Sequence, residues 1–179
     1  MSAIQTPLRR AAFLDRDGVL IEDIGYPHRP EHLVWMDGAV EAVRWLNVEG
    51  YEVVVVSNQS GVARGYFTEE DVEAFHALMQ QALAGSGARI DAFYFCPHHP
   101  EAVVERYRRD HPWRKPSPGM ILQALEDRPI VKDGSFLIGD RPSDLEAAAA
   151  AGLPGFLADG RSLLEVVREA VRRCVPGLG

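Results

Sequence analysis

Two aspartates one residue apart, Asp15 and Asp17, follow the apolar run Ala11-Ala12-Phe13-Leu14 and precede Gly18. Such a pair suits chemistry in two parts: one carboxylate attacks an electrophile or binds a metal while the other transfers a proton. Gly18 has no Cβ, so the turn after the run can bend sharply and come close to a small ligand. Asp-x-Asp-Gly also occurs in ordinary solvated turns, and the pair alone does not exclude that. Three other stretches carry polar chemistry in similar settings. Ser57-Asn58 ends a valine run, Arg114-Lys115-Pro116 closes a long loop, and Gly139-Asp140, with Asp144 beyond it, follows Phe136-Leu137-Ile138.

The elements that must position these groups alternate between strand-like and helix-like patterns, which predicts an α/β architecture with a central parallel sheet of about five strands flanked by helices. Strands are expected at 11–14, 52–56, 90–95, 136–139 and 155–158, as short apolar or β-branched runs buried on both faces. Helices are expected at about 37–48, 68–85, 117–125, 143–152 and 162–173, from apolar spacing and capping residues such as Thr68 and Ser143. The prolines of Tyr26-Pro27-His28-Arg29-Pro30 make 21–35 a loop or flap rather than a helix. The 96–114 loop is long for a compact domain, which favours a functional role. If the strands are parallel, Asp15, Asp17, Ser57, Asn58, Arg114, Lys115, Asp140 and Asp144 converge on the carboxyl edge of one sheet.

The chain has 179 residues, 46% of them hydrophobic, enough for one domain with a sizeable core. A net charge of −7 argues against nucleic acid or an anionic membrane as partner. A small anionic substrate would need local cations, and Arg114 and Lys115 supply them. Residues 1–10 lack the apolar core of a signal peptide, and no long apolar run exists to span a membrane. Cys96 and Cys174 stand far apart in different contexts, which fits a reducing compartment. The expectation is a cytoplasmic monomer, with Pro176-Gly177-Leu178-Gly179 as a tail.

In order and spacing, Asp15-x-Asp17-Gly18-Val19, Ser57-Asn58, Lys115-Pro116 and Gly139-Asp140-x-x-x-Asp144 resemble the four motifs of the haloacid dehalogenase (HAD) superfamily of phosphohydrolases. Ser57-Asn58-Gln59-Ser60-Gly61, Cys96-Pro97-His98-His99-Pro100 and Arg114-Lys115-Pro116-x-Pro118-Gly119-Met120 resemble the branch of heptose 1,7-bisphosphate and histidinol-phosphate phosphatases. The resemblance implies a Rossmann-like fold without a large cap domain, since no long insertion separates the first two motifs. It also implies a Mg²⁺-dependent phosphomonoesterase acting on a small phosphorylated metabolite. Asp15 would be the nucleophile, Asp17 the general acid and base, and Lys115 the charge-balancing cation. Ser57 and the Asn58 backbone would hold phosphate oxygens, and Arg114 would hold a second anionic group. Mg²⁺ would lie on Asp15, the Asp17 backbone carbonyl and Asp140, with Asp144 serving its own helix start rather than the metal. A heptose bisphosphate is the expected substrate and histidinol phosphate the alternative. A HAD-fold binding module that has lost catalysis is the alternative of another class, which the intact acids argue against.

The same branch often carries a structural zinc on Cys-x-His and Cys-x-Cys pairs. Here Cys96-Pro97-His98 matches the first pair, but His111-Pro112-Trp113 stands in place of the second. Tryptophan does not ligate zinc, and the adjacent His98 and His99 make an awkward ligand pair. A zinc-free loop, packed through Trp113, is therefore the expectation.

Overall fold

The computed structural model describes residues 7–176; the first six residues and the Gly177–Gly179 end of the expected tail lie outside the described residues. Five strands, β1 (Arg9–Leu14), β2 (Glu52–Asn58), β3 (Ala92–Cys96), β4 (Ile130–Gly139) and β5 (Gly155–Leu157), form one sheet in the order β3-β2-β1-β4-β5. Every pairing is parallel. Parallel neighbours need crossover connections, and helices supply them here. They are α1 (Ala39–Val48), α2 (Ser60–Ala63), α3 (Glu69–Ala84), α4 (Gly119–Asp127), α5 (Pro142–Ala150) and α6 (Leu163–Cys174).

Alternation along the strands divides the core into two layers. Ala12, Leu14, Val53, Val55, Phe136 and Ile138 face one side and pack on α1, α3 and α6, through residues such as Leu46, Met79 and Val167. Ala11, Phe13, Val54, Val56 and Leu137 face the other and pack on α4 and α5, through Met120, Ile121, Ala147 and Ala148. Both faces of the central strands are covered, which explains why β1 and β2 read as unbroken apolar runs rather than alternating ones.

The departures from the sequence reading have local causes. β4 begins at Ile130, well before the expected 136, because Lys132-Asp133-Gly134 interrupts its apolar pattern while the backbone continues in the sheet. A register shift between Arg10 and Ala12 takes up the irregularity, and Ser135 Oγ accepts from the Ala11 N–H at 2.8 Å across it. The polar stretch after β2 contains the short helix α2 rather than loop alone. α5 starts one residue earlier than expected, with Arg141 at its N-cap, Pro142 in the first turn and Asp144 as the residue that reaches back. Ser143 therefore lies within the helix and is not its cap. α3 is capped as the sequence predicts, Thr68 and Asp71 bonding reciprocally.

No α-helix forms in 21–35, as the prolines require; the segment folds back so that Glu22 donates to Val34 O at 2.9 Å and Met36 to Leu20 O at 2.9 Å. His28 stacks on Phe67 with ring centroids 4.6 Å apart, seating this flap against the start of α3. Among the described residues no helix is long and apolar enough to cross a membrane. Phe136, fully buried between Tyr51 and Phe156, is a direct probe of the layer that carries α1 and α6. Phe136→Ala is expected to cost about 3–5 kcal/mol in urea unfolding without changing the m-value.

Candidate active site

β1 lies at the centre of the sheet with β2 on one side and β4 on the other. Connections from its neighbours leave in opposite directions, which opens a crevice at its carboxyl end. A cavity of about 520 Å³ occupies that crevice, lined by Asp15, Asp17, Ser57, Asn58, Arg114, Lys115 and Asp144 among others. Asp140 does not line the cavity, but its carboxylate meets those of Asp15 and Asp144 at the floor: each offers an oxygen within 4.8 Å of the others.

Lys115 is buried at the centre of this group. Its ammonium has three protons and finds three acceptors: Asp15 Oδ1 at 2.9 Å, Val56 O at 2.8 Å and Asp144 Oδ1 at 2.6 Å. Asn58 holds the Lys115 backbone by a pair of bonds, its Nδ2 donating to Lys115 O at 3.0 Å and its Oδ1 accepting from Lys115 N at 3.0 Å. The side chain of Asn58 thus fixes the loop that delivers the lysine. Burial pushes the Asp15 carboxyl up from its ordinary 3.8 to about 7; Lys115 opposes this, and Asp144 and Asp17 add to it. Burial alone would lower the Lys115 ammonium, but Asp15 and Asp144 outweigh it and hold the pKa above the ordinary lysine value.

Lys115 pairs with Asp15 and Asp144, and Asp140 adds a third carboxylate beside them, so the group carries more acid than its one ammonium balances. Asp140 Oδ1 is buried with no hydrogen-bond partner, and burial together with Asp144 raises the Asp140 pKa. A Cβ on Gly18 would fall 2.4 Å from Asp140 Oδ2, so only glycine lets this turn approach the acid. An oxygen-only donor set with surplus negative charge and an orphaned carboxylate oxygen fits Mg²⁺. Asp144 serves its helix start as expected, its Oδ2 accepting from the Arg141 N–H at 3.1 Å, but its Oδ1 also faces Lys115 and its carboxylate belongs to the acidic group. The carboxylate of Asp17 lies outside that group, bonded to Arg16 at 2.7 Å and to Gln59 at 3.1 Å.

Arg114 reaches the cavity wall, donating to His98 O at 3.3 Å, and among the described residues it has no carboxylate within ion-pair distance. Arg16 and the Asp23–Arg141 pair at 2.9 Å escaped the sequence reading, and Gln59 entered it only as a motif residue with no role. Apart from Arg16–Asp17 and Gln59–Ser57, their partners lie far away along the chain, and no local periodicity marks them.

In the 96–114 loop, Cys96 is fully buried in the core layer with Val56 and Met120, and burial pushes its thiol up. The rings of His98 and His111 stack with centroids 4.4 Å apart, and Arg109 Nη2 lies 3.0 Å from His98 Nε2. A guanidinium at that nitrogen does not fit a zinc ligand there, and among the described residues Cys96, His98 and His111 do not come together as a metal-ligating group. Trp113 packs against the same core layer and meets Tyr94 edge-on.

A HAD-hydrolase-like family model matches residues 112–166. The chain is 48% identical over 165 residues, 92% of each sequence, to a D-glycero-beta-D-manno-heptose-1,7-bisphosphate 7-phosphatase of Rhodopseudomonas palustris. It is 42% identical to a D-glycero-alpha-D-manno-heptose-1,7-bisphosphate 7-phosphatase of Burkholderia mallei, covering 91% of this chain and 83% of that one. The crystal structure of D,D-heptose 1,7-bisphosphate phosphatase from B. bronchiseptica, complexed with magnesium and phosphate, superposes with a TM-score of 0.79 at 29% identity, covering 92% of this chain and 99% of that one. The chain belongs to the HAD-like hydrolases and is a phosphatase. Within that class it resembles the heptose 1,7-bisphosphate 7-phosphatase branch.

The electrostatics make a prediction with a definite sign. Asp15 binds its proton more tightly in the folded state than in the unfolded one, so its contribution to stability without metal is complete below about pH 4 and is lost as pH rises through about 7. Mg²⁺ competes with that proton. The increase in thermal midpoint on adding Mg²⁺ is therefore expected to grow from about pH 5 to about pH 8, measured by thermal unfolding with Mg²⁺ or with EDTA.

Proposed function

We propose that this phosphatase removes the 7-phosphate of D-glycero-D-manno-heptose 1,7-bisphosphate, acting as a cytoplasmic monomer. One observation carries the chemical part of the reading: the buried group of Asp15, Asp140, Asp144 and Lys115 at the carboxyl end of β1. The substrate follows from relatives so named that match this chain over nine-tenths of its length, 92% and 91%.

In this reading a carboxylate oxygen of Asp15 attacks phosphorus, and the bond from phosphorus to the sugar oxygen breaks. Asp17 gives its proton to the departing oxygen, leaving an aspartyl-phosphate and a free sugar hydroxyl. Water then attacks phosphorus, Asp17 takes its proton, and phosphate leaves with the Asp15 carboxylate restored. Asp15, Asp140 and the Asp17 backbone carbonyl, with Asp144 beside them, would hold Mg²⁺, which would offset the charge of the phosphate against the attacking carboxylate. Lys115 shares that task and fixes the orientation of Asp15. Gln59 Nε2 donates to Ser57 Oγ at 2.7 Å, which leaves the Ser57 hydroxyl proton free to donate to a phosphate oxygen. The Asn58 N–H adds a second donor there. Arg114, a cation with no carboxylate partner among the described residues, takes the second phosphate of the substrate.

Assays of phosphate release from both heptose bisphosphate anomers, histidinol phosphate and monophosphorylated sugars test the reading. A kcat/KM for a heptose bisphosphate well above the rest is expected, and a preference for histidinol phosphate would overturn the substrate. Asp15→Asn is expected to fold normally and lose activity by about 10³-fold or more, since an amide is a poor nucleophile. Arg114→Ala is expected to raise KM for the bisphosphate about tenfold, the value of one charge-assisted bond, with little change in kcat. An unchanged KM would remove Arg114 from substrate binding.

A further inference from the structure

The guanidinium of Arg16 is completely buried, though the residue lies between two acids that face the crevice. Its Nε donates to Asp17 Oδ1 at 2.7 Å and its Nη2 to Asp17 Oδ2 at 3.1 Å, a two-point fork on one carboxylate. Nη2 also faces Gln59 Oε1 at 3.0 Å and the Pro27 carbonyl at 2.8 Å, so its two protons serve three acceptors. Phe75 of α3 lies under the guanidinium, 5.0 Å from ring centroid to carbon, and His76 Nε2 meets Nη1 at 3.4 Å. Burial and the neighbouring Arg16 keep His76 neutral, its pKa lowered to about 3, so it can accept from that guanidinium.

Gln59, itself only 2% exposed, completes the arrangement. Arg16 offers only donors, which fixes the amide with Oε1 toward Arg16 and Nε2 toward Asp17 Oδ2 and Ser57 Oγ, at 3.1 and 2.7 Å. Oδ2 of Asp17 thus accepts two bonds and Oδ1 accepts one. A carboxylate oxygen has two lone pairs, so Oδ1 keeps one for a proton in transit.

We propose that Arg16 and Gln59 are positioning residues that hold Asp17 in one orientation, with Oδ1 as the oxygen that carries the transferred proton. Gln59 ties that orientation to Ser57, and Arg16 ties it to the flap through Pro27 and to α3 through His76. The general acid, the phosphate-binding hydroxyl and the flap are then set by a single buried cation. This inference rests on the reading of Asp17 as the general acid.

The test uses leaving groups. A sugar alkoxide needs a proton as it departs, whereas p-nitrophenolate leaves as a stable anion, and kcat/KM reports steps only through formation of the phosphoenzyme. Gln59→Leu keeps the volume and removes the donors; Arg16→Lys keeps the charge and removes the fork. Each is expected to lower kcat/KM for the heptose bisphosphate by about 10–100-fold, part of the 10²–10⁴ that a general acid contributes. The loss on p-nitrophenyl phosphate is expected to be at least about fivefold smaller. Circular dichroism confirms folding, and Gln59→Leu decides the matter if Arg16→Lys does not fold. Equal losses on both substrates, or none on the bisphosphate, would overturn the inference. Asp17→Asn is measured beside them. If it shows no dependence on the leaving group, the reading of Asp17 as the acid fails; if it does and both positioning variants do not, only the present inference fails.

Discussion

The site depends on one ammonium surrounded by acceptors. Lys115 spends all three of its protons on Asp15, Asp144 and the Val56 carbonyl, groups from the turn after β1, from α5 and from β2. A buried charge is tolerated only when fully paired and hydrogen-bonded, and breaking such a pair costs more than its presence contributes. The packing around it is accordingly close. A Cβ on Gly139 would fall 2.2 Å from the Cβ of Asp144, so glycine at the end of β4 is what allows the first turn of α5 to bring its acid to the lysine. Asn58 in turn clamps the lysine's own backbone to the end of β2. Three segments distant in sequence are placed by one charge requirement.

That requirement also explains why the cluster needs a divalent cation. One lysine does not balance three acids, and burial already pushes Asp15 to about 7 and raises Asp140. Folding has placed an unfavourable surplus of negative charge where, in the proposed reaction, a metal and a phosphate meet. Asp17, the acid of the proposed reaction, is handled differently: it is directed away from the cluster and onto Arg16 and Gln59. Two carboxylates one residue apart thereby acquire different environments and can take different roles.

The sequence made the sheet and most of the site legible because those signals are local. Apolar runs such as Val53-Val54-Val55-Val56 declare buried strands, and an acid directly after such a run lies at a strand end by construction. The early part of β4 was hidden because Lys132-Asp133-Gly134 looks like a turn, while Ile130 and Val131 before it pair with Arg9 and Arg10 and so begin the strand early. Asp144 was read as a helix-start residue, which its bond to Arg141 makes it; its second role depends on Lys115, which is 29 residues earlier in the chain and invisible to any local pattern. Arg16 was passed over for the same reason, since a residue's neighbours in sequence do not reveal that its side chain turns inward to Pro27, Gln59 and His76.

The central claim is that Asp15 becomes covalently phosphorylated during turnover. Acid quenching during turnover of the bisphosphate, followed by borohydride reduction and peptide mapping, addresses it directly, because reduction of an aspartyl-phosphate converts that residue to homoserine. The account predicts homoserine at Asp15 and at no other aspartate, in amounts that depend on Mg²⁺ and substrate. Homoserine at another position, or none while phosphate release proceeds, would contradict it.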